Sequence, residues 1–247
     1  MLILTPEMER YREIAREIFL PFYSDTMPGH GPNHPEIVCD NYLNEVETVQ
    51  FFSEPFDERE IIRGIVAAYG HDTDMHRSLR FRIDDIVFRD YEHRSAYRTY
   101  QEGMRAGLDE AEIVIHASRL VASTHANSSC VTKNQRAFRR ADIRNVGMTY
   151  DPFVETSDAF YEEYLMSKED DLADGVDNSK AKKEYVEWFD EIACRMILVP
   201  LLKPDLSYGE AERGPSGKSR FQENCYANIQ RRRKELGLQP LPQEPLS

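Results

Sequence analysis

The sequence predicts an all-α protein. Three observations carry this: apolar residues recur every three or four positions in most segments, helix-starting residues stand just before them, and strand-like alternation is nearly absent. Thr5 opens the first helix as N-cap, with Pro6 at the first helical position, where its missing N–H costs nothing. Met8, Tyr11, Ile14, Ile18 and Phe19 then form one face. Pro35 opens a second helix carrying Ile37, Tyr42, Val46 and Val49. Asp57 to Glu60 places acidic residues on the first turn of a third, which runs through Ile61, Ile62, Ile65 and Ala68. A fourth is expected from Glu92 to Arg105, and a fifth from Glu110 to Ser123 behind Asp109 as cap. Shorter helices are expected at Phe138 to Val146 and Ser157 to Leu165. Two long ones follow, Ser179 to Ile197, ended by Pro200 and Pro204, and Lys218 to Leu236. Only Ser78 to Val87 has an ambiguous pattern.

Composition bounds the function. The chain has 247 residues with 31 Lys+Arg against 44 Asp+Glu, a formal charge of −13. That balance argues against gripping long nucleic acid, which depends on phosphate neutralisation. A small phosphorylated substrate held by a local basic patch stays compatible with it. With 40% hydrophobic and 11% aromatic residues, the chain has the material for a core. No apolar run approaches the roughly 18 residues of a membrane span, and Met1 to Leu4 is too short for a signal peptide. Cys39, Cys130, Cys194 and Cys225 form no CxxC pair, so a reducing, cytoplasmic setting is expected. The charged, turn-rich stretch Ser167 to Asp177 suggests a division into a catalytic core, residues 1–166, and a helical extension, residues 167–247. All seven histidines lie in that core.

The most informative constellation is His34, the pair His71-Asp72 and Asp142. Imidazole and carboxylate are ligand types for a divalent ion such as Mn, Fe, Co, Ni or Zn, with Mg also open. His71 and Asp72 follow the apolar run Ile61 to Gly70, and adjacent residues at a helix end can face one ion from neighbouring positions. Two histidines and two carboxylates leave coordination positions for water and substrate, as a catalytic metal requires. Lys133, Arg136, Arg139, Arg140 and Arg144 surround Asp142 in sequence. Within this cluster Lys133 and Arg144 are candidate phosphate contacts, as is Arg94.

The run from His34-Pro-Glu-Ile-Val through Ile65-Val-Ala-Ala-Tyr-Gly-His71-Asp72 to Arg140-Ala-Asp142-Ile resembles the HD superfamily of metal-dependent phosphohydrolases. Glu92-His93-Arg94-Ser95-Ala96 resembles the Asn-Glu-x-x-Ser-Ala segment of the small predicted members with unassigned substrate. Ala122-Ser123-Thr124-His125 resembles their Ala-Thr-x-x-His segment, with a shortened spacing. The resemblance covers roughly residues 20–166. Tyr91 stands where the family has asparagine, and the stretch from His71 to Glu92 carries a charged insertion.

The resemblance implies a helical fold with one divalent metal on His34, His71, Asp72 and Asp142, and hydrolysis of a small phosphate ester, a nucleotide or related metabolite. Glu92 and Asp72 are then the catalytic carboxylates, and His125 is a substrate contact beside Arg94, Lys133 and Arg144. A homo-oligomer is compatible with all of this. Two rivals remain. One is a dinuclear HD enzyme, an iron oxygenase or cyclic-nucleotide phosphodiesterase, for which His93, His116 and His125 are spare histidines. The other is a degenerate HD module that binds a nucleotide without catalysis. Each residue also has a plainer reading: Glu92 as a solvated first-turn acid, His116 as a satisfied core histidine, His30 as pocket lining or exposed loop. The run Gly214-Pro-Ser-Gly217-Lys218-Ser219 fails as a phosphate loop because position 212 is Glu and no strand precedes it.

Overall fold

A computed structural model of the chain describes residues 2–75, 91–108, 110–166 and 178–241. About 69% of it is helical, and no sheet forms among the described residues, so the all-α expectation holds. The ambiguous segment Ser78 to Val87, His76, Asp109 and the stretch Ser167 to Asp177 lie outside the described residues. The chain divides into two compact units, residues 1–142 and 143–247.

The first unit contains α1 (Pro6–Phe19), α2 (His34–Val49), α3 (Glu58–Gly70), α4 (Tyr91–Arg105), α5 (Ala111–Ala122) and α6 (Lys133–Asp142). Its centre is α3, which packs against the other five. The sequence explains why: Ile61, Ile62, Ile65, Val66, Ala67, Ala68 and Tyr69 are all buried, and a helix apolar nearly all round needs neighbours on every side. Asp57 and Glu60 close a capping box at its start. Two glycines set how closely its neighbours approach. A Cβ on Gly64 would lie 2.0 Å from the Tyr42 ring of α2, and one on Gly70 would lie 2.2 Å from Thr99 Oγ1 of α4.

Polar contacts fix the remaining helices. Thr5 caps α1 as expected, its hydroxyl accepting from the Met8 amide. Arg12 of α1 reaches Asp40 and Glu36 of α2, and the Tyr69 hydroxyl donates to Glu36 at 2.6 Å. Glu45 of α2 and Arg140 of α6 form a buried ion pair at 2.9 Å. Three expectations are corrected here. In place of one helix from Phe138 to Val146, α6 starts at Lys133 and ends at Asp142, because Ile143 leaves the helical backbone region. Its start has a capping box that sequence inspection passed over: Thr132 Oγ1 accepts from the Gln135 amide, and Gln135 Oε1 accepts from the Thr132 amide. His116 lies on the surface of α5 beside Glu112, with its side chain 39% exposed, rather than in the core. Glu110, expected as the first helical residue, stands at the N-cap of α5 and makes no side-chain cap bond.

The second unit contains α7 (Arg144–Gly147), α8 (Tyr150–Met166), α9 (Asn178–Trp188), a π-helix (Phe189–Leu198), α10 (Val199–Leu201) and α11 (Arg220–Glu235). The α8 helix begins seven residues before the expected Ser157. Tyr161, Tyr185, Trp188, Phe153 and Phe189 form its aromatic core, with Tyr161 and Trp188 at 5.1 Å between centroids. Pro200 does not stop the helix before it. The chain passes through a wider π segment and begins a fresh turn at Val199, where Pro200 occupies an early position that lacks a required N–H. Gln222 of α11 ties down residues 202–206, donating to the Leu202 and Pro204 carbonyls and accepting from the Leu206 amide.

Candidate metal centre

His34, His71, Asp72 and Asp142 each offer one donor atom to a common point, and these atoms all lie within 4.8 Å of one another. The local sequence explains how each arrives. His34 is the first residue of α2, with its amide bonded to Gly31 O at 2.9 Å. His71 and Asp72 follow the last residue of α3, and Asp142 is the last residue of α6. Two helix C-termini and one N-terminus therefore meet here. Each terminus carries roughly half a unit of charge, negative at the C-terminal end, so the balance favours a cation.

The turn holding His71 and Asp72 is fixed by the last carbonyls of α3, which have no partner within the helix. His71 Nδ1 lies 2.8 Å from Ala68 O. The Tyr23 hydroxyl donates to Tyr69 O at 3.1 Å and accepts from the Asp72 amide at 3.3 Å. Thr73 Oγ1 and Thr99 Oγ1 lie 3.0 and 3.1 Å from Gly70 O. The Ala68 carbonyl can only accept, so Nδ1 of His71 carries a proton and Nε2 is the nitrogen that faces the carboxylates, the one a metal would take.

The donor separations test whether a metal fits. His71 Nε2 is 3.0 Å from His34 Nε2, 3.0 Å from Asp72 Oδ2 and 3.5 Å from Asp142 Oδ1. His34 Nε2 is 3.2 Å from Asp72 Oδ2 and 3.9 Å from Asp142 Oδ1. Ligands about 2.1 Å from one ion stand about 3.0 Å apart at a right angle and about 4.2 Å apart when opposed, which brackets all five values. The two ring nitrogens, 3.0 Å apart, can share one proton in an N–H···N bond or turn both lone pairs to one cation. One cation satisfies all four donors, so the residues fit a divalent metal.

Electrostatics agree. Burial opposes a charged His71, but Asp72 and Asp142 outweigh it and hold its pKa well above the ordinary histidine value. Burial likewise works to raise the Asp72 carboxyl, and the positive charge of His71 with hydrogen bonds from both imidazoles holds it well below the carboxylate range. For His34 burial prevails and lowers the pKa. The quartet therefore carries surplus negative charge that a cation would neutralise, with displacement of a proton.

The other residues singled out in the sequence are dispersed. Glu92 is buried near the start of α4, and its charge and that of Asp142 both act on the guanidinium of Arg139. Arg139 is itself fully buried and donates to the Ser123 and His125 carbonyls. Arg94 is exposed on α4. His125 is half-buried, with its ring 4.9 Å from that of His93. Lys133 bonds Glu60 at 3.1 Å and Pro55 O at 3.0 Å, at the opposite end of α6 from Asp142. Arg144 begins α7, in the second unit. The basic cluster around Asp142 thus largely serves the fold: Arg136 holds the carbonyls of Cys130 and Val131, and Arg140 holds Glu45. Sequence reasoning missed Tyr23, for which no motif exists. It also treated Arg139 as one charge among five, with no signal that it is buried.

No family model, no curated protein and no solved structure matches this chain. Among the described residues no helix is long and apolar enough to cross a membrane.

Proposed function

We propose that this chain is a metal-dependent phosphohydrolase of the HD type, acting on a small phosphate ester, with a nucleotide or related metabolite as the substrate class. The observation that carries the reading is the convergence of His34, His71, Asp72 and Asp142 within 4.8 Å, with the His71 tautomer set by Ala68 O. A divalent ion there would polarise a phosphoryl oxygen and acidify a water, which is the chemistry this substrate requires.

The chain's own residues have distinct tasks. His71 and Asp72, 1% and 4% exposed in their side chains, form the floor. His34 and Asp142, 14% and 19% exposed, stand on the open side where substrate arrives. Glu92 is the general base of this reading, a buried carboxylate whose charge acts, like that of Asp142, on the Arg139 guanidinium. Arg94 and His125 are the substrate-side contacts of this reading. Four buried free cysteines suit a reducing cytoplasm.

The test is metal stoichiometry after exchange into Mn²⁺, by elemental analysis, followed by phosphate release across nucleotides. About one ion per chain, with Asp72→Ala abolishing both metal and turnover, is the expected outcome. The closeness of His93 and His125 is the observation on the side of a dinuclear enzyme. About two ions per chain would move the assignment to that class. No ion on a folded chain would end the metal reading and favour a non-catalytic module.

A further inference from the structure

His30 belongs to none of the roles assigned so far, yet it stands at the open edge of the metal centre. It lies in the loop before α2, four residues ahead of His34. Its Nε2 is 3.8 Å from Asp72 Oδ2, and its ring meets that of His34 edge-on at 5.0 Å between centroids. Its nitrogen stands outside the quartet of mutually close donors. The exposures order the site. His71 and Asp72 are sealed at 1% and 4%, while His30, His34 and Asp142 keep a small exposed fraction of 10%, 14% and 19%. Any ligand approaching the ion therefore passes over the face that His30 borders.

We infer that His30 is a substrate-contacting residue, its ring N–H donating to a phosphoryl oxygen of the ligand held at the metal. This rests on the metal-site reading above. Three features support it. The imidazole is nearly buried, so its bond to an anion is made with little competition from water. It donates in either its neutral or its charged form. Lys133, Arg136, Arg139 and Arg140 are each engaged in structural contacts, whereas the His30 imidazole is a donor beside Asp72 itself. Gly29 and Gly31 flank His30 in the loop. Gly31 itself sits tightly, since a Cβ there would lie 2.8 Å from Met27 O, so the loop that presents His30 has a defined path.

The experiment measures two affinities on the full chain: Mn²⁺ on the metal-free protein, and inorganic phosphate on the Mn²⁺-loaded protein, both by calorimetry. His30→Ala should leave Mn²⁺ affinity within about twofold and weaken phosphate about tenfold, and His30→Asn, which keeps a donor, should recover part of that loss. Equal phosphate affinity in wild type and His30→Ala, or no phosphate binding by the loaded wild type, overturns the inference. A parallel fall in Mn²⁺ affinity makes His30 a ligand and also overturns it. Failure of the wild type to take up Mn²⁺ is a separate result that removes the metal reading itself.

Discussion

The Tyr23 hydroxyl offers the sharpest perturbation, because Tyr23→Phe keeps the ring and deletes one oxygen. That oxygen holds Tyr69 O at 3.1 Å and the Asp72 amide at 3.3 Å, so both backbone groups lose a partner in the wall of the site. Each unpartnered buried group costs about 1–3 kcal/mol; the longer bond belongs at the lower end, which puts the loss of unfolding free energy at about 2–3 kcal/mol. At about 2–4 °C per kcal/mol for a chain of this size, Tm should fall by about 5–10 °C. The second effect is on metal. Asp72 Oδ2 lies 3.0 and 3.2 Å from the two imidazoles, and its backbone is held by this hydroxyl, so Mn²⁺ affinity should weaken about 10–100-fold, as for other partners that orient ligands. Thermal unfolding with and without Mn²⁺, together with a competition titration, separates the two effects. A Tyr23→Phe protein that unfolds earlier but binds Mn²⁺ as tightly as wild type would refute the positioning argument.

Other substitutions and conditions follow from the same structure. Arg140→Ala leaves the Glu45 carboxylate buried without its guanidinium, and denaturant unfolding should show a loss of about 3–5 kcal/mol; a change under 1 kcal/mol would count against the buried pair. Gly70→Ala places a methyl 2.2 Å from Thr99 Oγ1, with an expected cost of about 1–3 kcal/mol, and a neutral result would mean that α4 moves aside. For Asp190, burial works to raise the carboxyl, but hydrogen bonds from Arg233 and Arg195 hold it below the carboxylate range. The stability it contributes is therefore present above the unfolded pKa near about 3.9 and is lost as pH falls through the lower folded value, so Asp190→Asn should flatten the acid limb of a urea-midpoint profile. The Cys39 thiol, pushed up to about 12 by burial, should resist alkylation at neutral pH until the protein is denatured, and rapid native labelling at Cys39 would contradict its burial.

Much of the fold was legible in the sequence where local chemistry determines local structure. Thr5-Pro6 and Asp57-x-x-Glu60 mark helix starts through side chains that reach their own first-turn amides, and the apolar run Ile61 to Gly70 marks the buried centre. His34, His71, Asp72 and Asp142 were legible as a ligand set because their types and order suggest it. Their convergence was decided by tertiary packing: the start of α2 meets the ends of α3 and α6, with Gly64 of α3 admitting the Tyr42 ring of α2 and Glu45 of α2 pairing with Arg140 of α6. The same packing set apart residues that look alike in sequence. Lys133, Arg136, Arg139 and Arg140 read as one basic cluster, yet each is claimed by a different carbonyl or carboxylate supplied from elsewhere in the chain. Tyr23 and His30 gained their places by long-range approach, one to a helix end and one to a carboxylate, which no spacing along the chain encodes. Sequence alone determined which groups could bind a cation; only the folded chain decided which of them face one another.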